Sequence, residues 1–97
     1  MKTLSEIEKI ISQYKKELRK NFQVKQIGIF GSYLHNKQTE VSDIDILVDF
    51  GENADLFHLI GLGLFLEEKL GKKVDIVPKR ALRKEIKESV LKEAVTV

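Results

Sequence analysis

Three aspartates stand out because strands seldom carry them. Asp43 and Asp45 lie two residues apart at the start of a predicted strand, Ile44 to Phe50, and Asp75 lies inside another, Val74 to Val77. Side chains alternate along a strand, so Asp43 and Asp45 share one face while Ile44, Ile46 and Val48 take the other. Strand rise separates the origins of the two carboxylates by about 7 Å, within common reach of one cation. Aspartate is depleted in strands, and three of them on sheet faces repel one another unless a divalent cation neutralises the group. Hard oxygen donors of this kind suit Mg²⁺, which keeps some waters and is completed by substrate phosphates. Two such ions about 3.5 to 4 Å apart can activate an attacking oxygen and stabilise a leaving one. Taken singly, each aspartate also reads as a turn residue or a solvent-facing strand position. Asp49 continues the same face and reads as exposed at the strand's end.

A second feature precedes the pair. The strand Val24 to Phe30 runs into Gly31-Ser32, where an extended pattern gives way to a short helical turn. Glycine lets backbone approach a phosphate, and serine can cap the turn and offer its hydroxyl to a phosphate oxygen. A Gly-Ser dipeptide alone is usually just a turn; the informative part is its spacing, ten residues ahead of Asp43-Ile44-Asp45.

The elements that must position these groups follow from periodicity. Ile7, Ile10, Ile11, Tyr14 and Leu18 recur at helical spacing, predicting one amphipathic helix over roughly Leu4 to Lys20, with Ser5 and Glu8 spaced as a capping box. Asp55 to Leu70 reads as a helix ended by Gly71, with Leu56, Phe57, Leu59, Ile60 and Leu64 mostly in the core and a surplus apolar face available to a partner. His58 reads as a surface or edge histidine and not a ligand, since no other His or Cys clusters with it. Leu82, Ile86, Val90 and Leu91 mark a last helix, and Lys79, Arg80, Arg83 and Lys84 a solvated basic face able to meet phosphates or an acidic partner. The predicted order is α-β-α-β-α-β-α, an α/β (α+β) fold with a small mixed sheet and helices packed on it. Its 97 residues make a single domain over 1–97, too short for a core plus a separate substrate module.

Bulk properties narrow the function classes. The net charge of +2 comes from 17 basic and 15 acidic side chains, without the basic excess of a typical nucleic-acid binder. No apolar run approaches the roughly 20 residues that cross a bilayer, and no signal peptide is evident. The chain has no cysteine, which excludes disulfide scaffolds and thiolate metal sites and fits a cytoplasmic protein.

The stretches Ile29-Phe30-Gly31-Ser32, Ser42-Asp43-Ile44-Asp45-Ile46-Leu47-Val48 and Lys73-Val74-Asp75-Ile76-Val77 together resemble the signature of the DNA polymerase β-type nucleotidyltransferase superfamily. The nearest likeness is to its minimal nucleotidyltransferase (MNT) antitoxins, which are encoded with HEPN-domain toxins. The resemblance implies a nucleotidyltransferase fold, with Asp43, Asp45 and Asp75 as catalytic metal ligands, Asp75 also activating the acceptor hydroxyl, and Gly31 and Ser32 holding the triphosphate. It implies Mg²⁺ as two ions, ATP as substrate, and AMP transfer to a tyrosine of a partner HEPN RNase toxin, silencing it by added bulk and charge. A hetero-oligomer with that toxin, or a homo-oligomer, would go with it, with no membrane and no direct nucleic-acid partner. Many relatives carry Ala-Arg-Gly after the serine; this chain has Leu34-His35-Asn36, and His35 does not replace arginine's fixed charge. Two other readings follow: an antitoxin that neutralises by binding alone, and transfer to a small molecule or nucleic-acid end.

Overall fold

The computed structural model describes residues 3–31 and 43–97. Two helices open it: α1 (Leu4–Gln13) and α2 (Lys15–Phe22). They replace the single helix expected over Leu4 to Lys20. Tyr14 leaves helical geometry at φ −107° and ψ 11°, its N–H bonding back to Ile11 O at 3.0 Å. Its ring stacks edge-on against Phe65 at 5.4 Å between centroids. The N-cap is also displaced from the expected Ser5–Glu8 box. Thr3 Oγ1 accepts the Glu6 N–H at 3.2 Å, and Ser5 is already inside the first turn.

Strands β1 (Val24–Phe30), β2 (Ile44–Phe50), β3 (Val74–Pro78) and β4 (Val95–Thr96) form one sheet in the order β3-β2-β1-β4. β1 is antiparallel to β2 and β4, whereas β2 and β3 run parallel and are joined by α3 (Leu56–Leu70). The mixed sheet is therefore as expected. β4 is an addition with little sequence signal, two residues paired with Gly28 and Ile29. Gly28 makes room for it: a Cβ there would lie 3.1 Å from Val95 O. The expected turn after Ser32 lies outside the described residues.

Alternation sorts the sheet into two faces. Ile27, Ile29, Ile44, Ile46 and Val48 are buried against Ile7, Ile11 and Leu18 of the first two helices and Leu62, Leu66 and Leu70 of α3. The opposite face carries Asp45, Asp49 and Asp75. Asp49 is half-buried rather than exposed, because it sits opposite Gln26 inside the β1–β2 ladder.

α3 differs most from expectation. Leu56, Phe57, Ile60 and Leu64 are 67, 83, 50 and 63% exposed, and only Leu59 of the expected stripe packs against the core. The core takes the 62-66-70 row instead, since those positions face the sheet. An apolar stripe of this size on a helix fits a surface that meets another protein. His58 is half-buried and reciprocally caps α3 with Asp55: Asp55 Oδ1 accepts the His58 N–H at 3.1 Å, and His58 Nδ1 accepts the Asp55 N–H at 3.0 Å.

A 3-10 turn (Lys79–Ala81) leads to α4 (Lys84–Glu93), none of whose residues is buried. The basic run thus spans that turn and the start of α4, as an exposed or half-buried segment. Among the described residues no helix is long and apolar enough to cross a membrane.

Candidate active site

The parallel ladder brings the distant carboxylates together. Asp45, second in β2, lies directly opposite Asp75, second in β3. Asp43 sits just ahead of β2 with its side chain exposed, and alternation places it beside Asp45 on the same face. On the other flank, Phe30 pairs with Asp45. The chain then turns at Gly31, whose φ of +82° favours glycine. A Cβ on Gly31 would come within 2.9 Å of Asp45 Cγ and overlap its carboxylate oxygen. The Asp45 carboxylate is therefore wedged between the Gly31 backbone and Asp75.

That position is electrostatically uncomfortable. Burial raises the Asp45 pKa above its usual 3.8, and the charges of Asp75 and then Asp43 raise it further. The three expected ligands thus form one interacting cluster. Hard oxygens and mutual repulsion fit a divalent cation in donor type and in charge. As they stand, no three acidic or imidazole side chains among the described residues converge into a ligand set. Ser32, with His35 and Asn36, lies outside the described residues. Residue Glu67, which periodicity alone leaves on an unremarkable helix turn, proves to reach this region: its carboxylate accepts the Val74 N–H at 3.1 Å, one residue before Asp75.

A stability consequence follows from the raised Asp45 pKa. The native state holds this proton more tightly than the unfolded chain, so Asp45 favours folding below the usual carboxylate pKa. That advantage is lost as pH rises through the raised native value. Above that window the ionised Asp45 opposes folding. Asp45→Asn is therefore expected to melt above wild type at pH 7 in EDTA, with the difference vanishing toward pH 3. Thermal melts across pH check both the sign and the window.

The order of strands, the parallel β2–α3–β3 unit and the carboxylates on one sheet face define a nucleotidyltransferase fold. The family model described as nucleotidyltransferase domain matches residues 11–97. The chain is 50% identical over 97 residues to the protein adenylyltransferase MntA of Thermococcus cleftensis, covering 100% of this chain and 98% of that protein. A solved structure described as a minimal nucleotidyltransferase superposes with a TM-score of 0.79 at 33% identity, covering 94% of this chain and 95% of the other. Another, a toxin–antitoxin with AMP-PNP, gives a TM-score of 0.70 at 27% identity, covering 93% and 70%. The chain belongs to the nucleotidyltransferase domain family and is an enzyme of that class.

Proposed function

We propose that this protein is the antitoxin of a HEPN/MNT toxin–antitoxin pair and transfers AMP from ATP to a tyrosine of its partner HEPN RNase toxin in a Mg²⁺-dependent reaction. The observation that carries the reading is Asp45 set between Gly31 and Asp75, where a phosphate-binding turn would meet a cation-binding carboxylate pair. Similarity to a protein adenylyltransferase and to a toxin–antitoxin with AMP-PNP supports it.

In this reaction the tyrosine oxygen attacks the α-phosphorus, the new P–O bond forms as the bond to pyrophosphate breaks, and the phenolic proton must leave. Asp75, at the exposed edge of the cluster, takes that proton from the acceptor. Gly31 lets backbone approach the triphosphate, and Ser32 donates its hydroxyl to a phosphate oxygen. Asp43, Asp45 and Asp75 would hold Mg²⁺, which supplies charge neutralisation for the phosphates and acidifies the attacking oxygen. The exposed Leu56, Phe57, Ile60 and Leu64 face offers the toxin a surface, consistent with an acceptor presented by the partner.

His35, where many relatives carry arginine, favours a second reading in which binding alone neutralises the toxin. Intact mass of the toxin after co-expression separates the two. Catalysis predicts toxin heavier by one or more AMP units with wild-type antitoxin and unmodified with Asp43→Asn. Unmodified, silent toxin in both complexes would favour binding alone.

A further inference from the structure

We propose that Glu67 is a positioning residue for Asp75, acting through the first peptide of β3; this rests on the reading of Asp75 as a working carboxylate. Asp75 is only the second residue of β3, and β3 is an edge strand with β2 on one side alone. Strand ends on a sheet edge fray readily, because few bonds hold them. Something must hold this end if Asp75 is to stay opposite Asp45.

The peptide between Lys73 and Val74 is held from both sides. Its carbonyl, Lys73 O, accepts the Ile44 N–H from β2 at 3.0 Å. In a trans peptide the N–H points opposite to the carbonyl, so the Val74 N–H faces away from β2, toward the free edge. There Glu67 Oε2 accepts it at 3.1 Å, spanning seven residues. The same residue also closes the helix. Glu67 O accepts the Gly71 N–H at 2.9 Å, with Gly71 in the left-handed region at φ +66°. One glutamate thus ends α3 with its carbonyl and starts β3 with its carboxylate.

Glu67 is itself well anchored. It is half-buried between the fully buried Leu66 and the buried Leu70, which fix the last turns of α3 against the sheet. Outer partners that orient metal-binding carboxylates commonly change activity by about ten- to a hundredfold when removed.

The test compares Glu67→Ala, Glu67→Gln and Asp75→Asn in the toxin complex, with amide hydrogen exchange followed in the metal-free antitoxin. Glu67→Ala is expected to speed exchange at Val74 and Asp75 by about tenfold and to slow AMP transfer by about tenfold at saturating ATP, well below its melting temperature. Glu67→Gln, which retains an acceptor oxygen, should stay within about threefold of wild type on both measures. Unchanged Val74 exchange in Glu67→Ala, or unchanged transfer despite faster exchange, would overturn the positioning role. Equal damage from alanine and glutamine would overturn the acceptor argument. Full activity in Asp75→Asn would instead refute the assignment of Asp75, and the exchange result would still report whether Glu67 holds the strand.

Discussion

Asp45→Asn is expected to lower AMP transfer by about a thousandfold or more while leaving the chain folded, because several kcal/mol of charge stabilisation leave the transition state with the cation. The substitution keeps shape and removes charge. Asp45 is half-buried between Gly31 and Asp75, so asparagine fits the same space. Loss of transfer together with a higher melting temperature in EDTA is a distinctive pair of results. An ordinary structural lesion lowers both stability and activity; removal of a repelled carboxylate separates them. This is the stability cost expected where a site gathers like charges for function. Mg²⁺ should then raise the melting temperature of wild type and leave that of Asp45→Asn nearly unchanged. Steady-state transfer assays and melts with and without Mg²⁺ read both.

Gly31→Ala carries the second large expected effect. A left-handed backbone at φ +82° costs a non-glycine residue about 1 to 2 kcal/mol. The added methyl also meets the Asp45 carboxylate, with Asp45 Cβ only 3.2 Å away and Cγ closer still. Asp45 cannot retreat across the sheet, because Ile44 and Ile46 on either side of it are fully buried. Either Gly31 shifts, displacing the backbone proposed to approach the triphosphate, or Asp45 rotates away from Asp75. A misplacement near 1 Å costs about a hundredfold in rate, so transfer is expected to fall about that far. The KM for ATP should rise with it, whereas Asp45→Asn acts mainly on kcat. Wild-type kcat and KM in Gly31→Ala would remove Gly31 from the site.

The sequence made the sheet face legible because alternation is strict: once Ile44, Ile46 and Val48 are taken as core, Asp45 has only one side left. It also gave the stop at Gly71, where a left-handed cap needs glycine. The pairing of Asp45 with Asp75 could be suspected but not read, since the parallel register comes from strands joined through α3 and not from a local turn. Local pattern misled at three places. Tyr14 keeps helical spacing yet breaks the helix to stack on Phe65, a contact made across fifty-one residues of chain. Thr3 took the cap from Ser5 because its hydroxyl sits one residue before the first helical turn, and either position fits the motif. On α3, apolar residues fall on nearly every side, so periodicity could not tell the 62-66-70 row that faces the sheet from the 56-57-60-64 stripe that faces outward. Glu67 carried no signal, because its partner is a backbone N–H, which every residue except proline supplies after Lys73.

The most direct test of the central claim uses ATP labelled at its α-phosphate, incubated with the purified antitoxin and its co-purified partner in Mg²⁺. Label is expected on a tyrosine of the partner, dependent on Mg²⁺ and absent with Asp43→Asn. Label retained in Asp43→Asn, or a silenced partner that never acquires label, would contradict it.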